Sequence, residues 1–188
     1  MKKYILFLFV FTSVVYSQST GWTLPTTVDG SSGDVAFINT NNAKDACNTT
    51  YATGLWVGGG DGAGRLTGSN YGFTIPSNAI IDSVNCRFKA KTDVVASGQL
   101  TILSLDWNGT HVEEFELNQG LTTTNTFYYI NKASGDYTVP FTVSELNDAI
   151  FLASYRFDAN EAATTISVDC ITVNVIYHIA GRNKRILE

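Results

Sequence analysis

The sequence predicts an all-β domain, an antiparallel β-sandwich of the jelly-roll type, and three observations support this class. The chain of 188 residues has only 15% charged residues and is rich in Thr, Asn, Ser and Gly, which favour strands and turns. Short segments of alternating apolar and polar residues recur at intervals of roughly ten residues, separated by turn signals. Helical patterns do not alternate with these segments, so folds built from β-α-β units are excluded.

The first element in the chain is a predicted secretory leader. Two lysines precede an apolar stretch from Tyr4 to Phe11, and a small residue follows at Ser17. This stretch is shorter than the roughly 20 apolar residues that a membrane span needs. We therefore expect cleavage between Ser17 and Gln18, and a protein that is secreted or held at the cell surface with no remaining span. The predicted division is a leader at 1–17, one sandwich domain at 18–180 and a short basic tail at 181–188.

The segment 80–90 is the clearest strand, because its residues follow the period-two pattern of a strand with one buried and one wet face. The apolar set is Ile80, Val84, Cys86, Phe88 and Ala90, and the polar set is Ser83, Asn85, Arg87, Lys89 and Lys91. We expect truncation of Phe88 to be costly and truncation of Lys89 to be nearly silent.

The rest of the chain is read from weaker patterns. Residues 18–50 are loop-rich, with a short apolar run at 35–38, and the glycine-rich segment 58–64 is a loop. Further strands are predicted at 100–107, 112–117, 122–130, 149–157 and 166–177. One helical turn is predicted at 142–148, with Ser144 as its cap.

The three cysteines, Cys47, Cys86 and Cys170, bear on the redox state. Export would place them in an oxidising compartment, where one disulfide can form and one thiol is left over, and all three pairings are open. Cys86 shares the parity of Val84 and Phe88, which favours a buried and unreactive thiol. No Cys/His spacing typical of a zinc site is present.

Four segments carry a family resemblance, and together they frame most of the chain after the leader. They are 42–53, 66–84, 143–151 and 167–177. In the second, Tyr71-Gly72-Phe73 precedes Ile75-Pro76 and a strand then begins. These segments resemble a β-sandwich domain of phage tail-fibre and other virion-associated proteins and of secreted multi-module proteins of Gram-negative bacteria, especially the Bacteroidetes. The resemblance implies the sandwich fold and an exported protein.

Charge and motifs argue against nucleic-acid binding and catalysis. A net charge of −5 and a pI near 4.9 do not suit a phosphate-backbone partner, which requires clustered Lys and Arg. Glu114 and Glu116 share one side of a predicted strand, and a solvated strand face is the simpler interpretation of such a pair. His111 and His178 lack a nucleophile motif. We therefore expect a protein that is not an enzyme.

No cofactor is predicted, and a structural calcium ion is the one metal that the composition allows. The segment 29–34, Asp-Gly-Ser-Ser-Gly-Asp, is rich in the oxygen ligands that calcium prefers. It matches no EF-hand loop, and ordinary turn chemistry is the competing interpretation.

Candidate ligand-binding residues surround the glycine-rich loop. Trp56 and Tyr71 are the best candidates for rings that stack on a sugar. Asp61 and Arg65 would supply charges of both signs. Trp107, before an Asn-Gly turn, is a third ring of this kind. For each ring the competing interpretation is packing in the core.

These observations favour an exported, non-catalytic recognition or adhesion module that binds a glycan or a surface partner. The alternative is a structural component of a virion, an appendage or an extracellular assembly. In that alternative the sandwich contacts other subunits or copies of itself, so a homo-oligomer stays open.

Overall fold

The computed structural model describes residues 16–57, 62–95, 97–160 and 163–179. The strands of these residues are β1 (Ser17–Ser19), β2 (Thr27–Asp29), β3 (Phe37–Ile38), β4 (Ala52–Trp56), β5 (Gly64–Ser69), β6 (Ala79–Thr92), β7 (Gly98–Trp107), β8 (His111–Gly120), β9 (Thr126–Ala133), β10 (Phe151–Ala159) and β11 (Thr164–Ile179). A short α-helix, α1, spans Val143–Leu146, and 3₁₀ turns lie at Thr40–Lys44 and Ser134–Asp136.

The strands form two antiparallel sheets that pack face to face, which confirms the predicted all-β sandwich. Sheet A has the order β3-β4-β11-β6-β9, with β1 paired to the end of β11. Sheet B has the order β2-β5-β10-β7-β8. The outward surfaces of the two sheets are termed face A and face B.

Aromatic side chains fill the space between the sheets. Phe88 on β6 is fully buried and stacks on Tyr128 with ring centroids 4.9 Å apart. Its ring also meets Tyr155 and Phe157 of sheet B edge-on, at 5.8 Å and 5.6 Å. Edge-to-face and offset contacts of this kind add to the free energy of area burial, so Phe88 is a core residue, as its parity predicts.

The pairing of β6 with β11 is interrupted by one extra residue in each strand, Asp82 in β6 and Asp169 in β11. Ser83 pairs with Ile176 and Ile81 with Tyr177, which leaves Asp82 as a bulge in β6. Val84 and Ile81 therefore both point into the core, although they are three residues apart. Ile80, which has the parity of Val84, is 49% exposed. The prediction that Ile80 belongs to the core is wrong, because a bulge shifts the alternation by one residue.

The cysteines pair as Cys47 with Cys170, and Cys86 is a buried free thiol. Burial raises the pKa of the Cys86 thiol to about 12, so this group stays protonated and unreactive near neutral pH. The expectation for Cys86 is confirmed. The disulfide ties the loop after the first 3₁₀ turn to the middle of β11.

The predicted helical turn is present as α1, but its cap differs. The Thr142 Oγ1 accepts a hydrogen bond from the Glu145 N–H (3.3 Å), and the Thr142 N–H donates to the Glu145 carboxylate (2.6 Å). This is a capping box. Ser144 lies inside the helix, so its assignment as the cap is wrong.

The predicted leader lies almost wholly outside the described residues, as does all of the basic tail at 181–188. Ser17 is described, and it pairs with His178, so the expected cleavage point falls inside β1. Within the part of the chain that the structure describes, no helix is long and apolar enough to cross a membrane.

Candidate ligand-binding face

Face A presents aromatic, amide and cationic side chains in rows across three neighbouring strands. The register of β9, β6 and β11 sets these rows, because directly opposed residues point to the same side of the sheet. The rows, each from β9 through β6 to β11, are Asn131–Asn85–Asn174, Tyr129–Arg87–Thr172 and Phe127–Lys89–Cys170.

The Arg87 guanidinium is held between two aromatic rings. Its central carbon lies 4.4 Å from the Trp22 ring centroid and 4.6 Å from that of Phe127. Its Nε donates a hydrogen bond to Thr172 Oγ1 at 3.0 Å. Trp22 follows β1 and reaches across β11 to make these contacts. Cation–π contacts on both sides fix the position of this side chain.

Tyr129 is the open ring of this cluster. It is 55% exposed, whereas Trp22 and Phe127 are half-buried. The Trp22 ring meets it edge-on at 5.9 Å, and Phe127 lies 6.1 Å away. An aromatic ring with a free face on a rigid strand can stack on a ligand with little loss of side-chain entropy.

Lys89 belongs to an ion pair at the margin of face A. Its Nζ lies 2.9 Å from a carboxylate oxygen of Asp169, which is fully buried. The same carboxylate accepts hydrogen bonds from the Thr49 N–H and the Asn125 side-chain amide, both at 2.9 Å. Lys89 lies on the outward side, as its parity predicts, but it supports two loops through Asp169, so we no longer expect its truncation to be silent.

Lys91 and the amide row complete the surface. The Lys91 ammonium lies 4.8 Å from the Tyr51 ring centroid. Asn174 is held by the Ser19 hydroxyl, which donates to its side-chain carbonyl at 2.6 Å, and Asn131 at the other end of the row is exposed. Amides offer both donors and acceptors, which suits a ligand with many hydroxyl groups.

Trp56 does not offer an exposed ring. Its side chain is fully buried, and its indole N–H donates to the Gly62 carbonyl at 3.0 Å. Glycines make room for it, since a Cβ at Gly54 would lie 2.9 Å from the ring and one at Gly64 would lie 3.2 Å from it. The exposed ring expected at Trp56 is not found, because the ring fills the space between β4 and β5.

Tyr71 is also a core residue. It stacks on Phe73 with ring centroids 5.5 Å apart, and its hydroxyl is buried without a hydrogen-bond partner among the described residues. Burial, together with the nearby Cys86, raises the pKa of Tyr71 well above its ordinary value. Trp107 is half-buried and donates to Asp148 at 3.3 Å. The expectation that the Tyr71 ring is exposed is therefore wrong.

Of the two remaining predicted site residues, Arg65 does not lie on face A. Arg65 lies on β5 opposite Arg156, on face B, and Asp61 lies outside the described residues. Of the four predicted ligand-binding residues, the three that the structure describes, Trp56, Arg65 and Tyr71, do not lie in the aromatic cluster.

The other acidic candidates have structural partners or face solvent. Glu114 and Glu116 are exposed, as a solvated strand face predicts. Asp29 accepts a hydrogen bond from the Ser31 N–H at 3.0 Å, which lowers the pKa of Asp29 and is typical turn chemistry. Among the described residues, no group of three or more His, Cys, Asp or Glu side chains is placed to hold a metal ion.

Sequence reasoning missed Trp22, Phe127 and Tyr129. One signal was present, since Phe127 and Tyr129 share the same parity in a predicted strand. Strand register, which places Tyr129 beside Arg87, cannot be read from a single sequence. Trp22 lies in a stretch without periodicity, so no sequence pattern predicts which way its ring points.

No protein-family profile and no curated protein matches this sequence. Among solved structures, the chain is similar to the N-terminal cellulose-binding domain of β-1,4-glucanase C from Cellulomonas fimi, with 13% identity, TM-score 0.44 and coverage of 82% of this chain and 92% of that one. It is similar to a family 29 carbohydrate-binding module from Piromyces equi, with 13% identity, TM-score 0.39 and coverage of 93% and 97%. A third similar structure is the enzymatically active domain of tailspike protein 4 from bacteriophage CBA120, with 16% identity, TM-score 0.42 and coverage of 83% and 19%. Values this low assign no function.

Proposed function

We propose that this protein is an exported, non-catalytic recognition module that binds glycans on face A. The observation that carries the proposal is the exposed Tyr129 ring beside an Arg87 that is already clamped between Trp22 and Phe127. Sugars combine a C–H face with a rim of hydroxyl groups, and this surface pairs a free aromatic face with fixed polar groups.

Each part of face A has a distinct role in the proposed complex. Tyr129 stacks on one sugar ring, and Arg87 donates hydrogen bonds to oxygens beside it. The row formed by Asn131, Asn85 and Asn174 binds hydroxyl groups of the neighbouring sugar. Because the residues of β6, β9 and β11 are fixed by sheet pairing, little ordering is needed on binding.

The location of the protein is part of the proposal. Secretion or display at the cell surface rests on the predicted leader at 1–17, and adhesion to a glycan-coated surface would follow from both properties. Intact-mass measurement of the exported protein tests this location, with a mature chain beginning at Gln18 as the expected result. Retention of Met1 would contradict it.

The main test of the proposed function is a glycan array followed by calorimetric titration of the best hit. We expect Tyr129→Ala to weaken binding about five- to thirty-fold, as loss of one stacked ring worth about 1–2 kcal/mol does. Tyr129→Phe keeps the ring and should keep most of the affinity. The matched control is Val112→Ala, which removes an exposed apolar side chain from face B.

The variants must keep the wild-type melting temperature, which the exposure of both side chains leads us to expect. Full-strength binding by the Tyr129→Ala protein would contradict the proposal. So would an equal loss in the Val112→Ala control, since recognition would then not belong to face A.

A structural role in an assembly is a second candidate, and one observation favours it. Ile38 on the edge strand β3 and Leu55 on its neighbour β4 are more than half exposed and line a shallow cavity of about 480 Å³. Exposed apolar side chains at a sheet edge favour association, here with a second copy of the chain. Light scattering should then detect an oligomer that Leu55→Lys dissociates, and a monomer at all concentrations would exclude this candidate.

A further inference from the structure

A row of three cations crosses face A, although the chain as a whole is acidic. The protein has a formal net charge of −5. Yet β6 directs Arg87, Lys89 and Lys91 to the same outward side, because they alternate with the buried Cys86, Phe88 and Ala90. Alternate residues on a strand are about 7 Å apart, so the three cations form a row about 14 Å long.

Two of the three cations have no carboxylate to neutralise them. Lys89 pairs with the buried Asp169 at 2.9 Å. Among the described residues, Arg87 and Lys91 have no carboxylate oxygen within 4.0 Å, and their heads lie over the rings of Trp22, Phe127 and Tyr51. An aromatic ring positions a cation without removing its charge.

More carboxylates lie on face B than on the strands of sheet A, where Asp169 pairs with Lys89 and Asp82 lies 2.8 Å from His178. On face B the outward carboxylates are Asp29, Asp106, Glu114, Glu116 and Asp158. The cations described on this face are Arg65 and Arg156, and Arg156 lies 3.7 Å from Asp158. The middle of face A is therefore positive at Arg87 and Lys91, whereas face B has more carboxylates than cations, so an anion is attracted to the former and repelled by the latter.

We infer that the ligand of face A is an anionic polysaccharide, whose carboxylate or sulfate groups contact Arg87 and Lys91 while Tyr129 stacks on a sugar ring. This inference rests on the proposed function and names its ligand class. A guanidinium binds carboxylate and sulfate oxygens through two parallel hydrogen bonds, and an ammonium binds them as a point charge. Two uncompensated cations match widely spaced anions, whereas a nucleic-acid backbone requires a denser basic patch.

The test is affinity electrophoresis of the whole protein in gels that contain matched charged and neutral polymers. One pair is polygalacturonate and its fully methyl-esterified form, and the other is dextran sulfate and dextran. We expect retardation by at least one charged polymer and at least tenfold weaker retardation by its neutral partner. The first pair reports on carboxylates and the second on sulfates, so the pair that responds identifies the anion.

Charge variants assign the effect to face A. Arg87→Gln and Lys91→Gln should each weaken binding to the charged polymer by about tenfold, as loss of a charge-assisted contact does. Arg87→Lys and Lys91→Arg keep the positive charge, so these variants should still be retarded by the charged polymer, and added salt should still weaken that retardation. Lys132→Gln is the matched control, since Lys132 lies on the same strand as Tyr129 but points to the opposite side of the sheet, over Phe115.

The outcomes separate the two proposals. Equal retardation by charged and neutral polymers, abolished by Tyr129→Ala, would overturn the inference and leave glycan binding on face A intact. Retardation by single-stranded poly-dT equal to that by the charged polysaccharides would also overturn the inference, because the surface would then bind any polyanion. If no polymer retards the protein, the inference is overturned, while the proposed function is still decided by the glycan array. If Tyr129→Ala is silent in both experiments, the proposed function falls together with the inference.

Discussion

Face A and face B are outer surfaces of the same sandwich, yet their side chains are organised differently. The centre of face B is built from short hydroxyl residues, in which Thr67 and Ser154 bond to each other at 2.9 Å and Ser104 lies opposite Ser154. The centre of face A is built from long side chains, and the most prominent, Arg87, is clamped between two rings. The two surfaces thus differ in kind, although both are strand faces of one sandwich. The distinguishing features are clustered rings and charge without a partner.

The largest expected difference between the two faces is the loss of stability when one carboxylate on each is removed. Asp169 is buried and accepts from Lys89, Thr49 and Asn125. We expect Asp169→Ala to lower the free energy of unfolding by about 3–5 kcal/mol, since it leaves buried donors without a partner. Glu114→Ala on face B should change it by no more than about 0.5 kcal/mol. Urea denaturation measures both, and similar values would mean that Asp169 is not a structural residue.

The ion pairs of the two faces should differ by a smaller amount. The Lys89–Asp169 pair is shielded from solvent, whereas Arg156 and Asp158 on face B are each exposed by a quarter or more. Lys89→Ala should therefore cost about 1–3 kcal/mol, while Arg156→Ala should cost about 1 kcal/mol or less. Urea denaturation in low and in 1 M salt tests this. A silent Lys89→Ala would restore the interpretation of Lys89 as a simple wet-face residue.

The smallest expected effect is an acid sensitivity on the sheet B side of the sandwich. Burial alone would raise the pKa of Glu113, but backbone N–H donors at Thr138 and Val139, with His111 nearby, outweigh it and lower that pKa. A carboxyl whose pKa is lower in the folded state stabilises the fold above its unfolded value of about 4.5, and this contribution is lost as the pH falls toward the folded value.

Melting temperatures measured from pH 7 to pH 3 test this prediction. In the Glu113→Gln protein, the melting temperature should fall less between pH 5 and pH 3, because the amide does not take up a proton in this range. Glu116→Gln is the control, as Glu116 is exposed on the same strand. An unchanged acid limb in the Glu113→Gln protein would assign the sensitivity to other carboxyl groups.

Local patterns predicted the fold well and the site poorly. The alternation in 80–90 identified a central strand and its wet face, including Arg87, because side-chain direction in a strand depends only on the neighbouring residues. Whether a ring faces solvent depends on what packs over it. Trp56 is buried because Gly54 and Gly64 leave room for its ring, and Tyr129 lies beside Arg87 because of strand register. Both are long-range facts that a single sequence does not contain.

The extra residue Asp169 in β11 has a consequence for how this chain tolerates insertions and deletions. Val168 pairs with Ala90 and Cys170 with Lys89, so the strand changes which side it presents at this one position. Removing Asp169 would shift the downstream half of β11 by one residue, sending Thr172 and Asn174 inward and the buried Val173 outward. β11 could then pair with β6 only with apolar residues facing solvent and polar residues facing the core. Length at this point is therefore as strictly determined as residue identity, and homologous chains should differ here by substitution rather than by gaps.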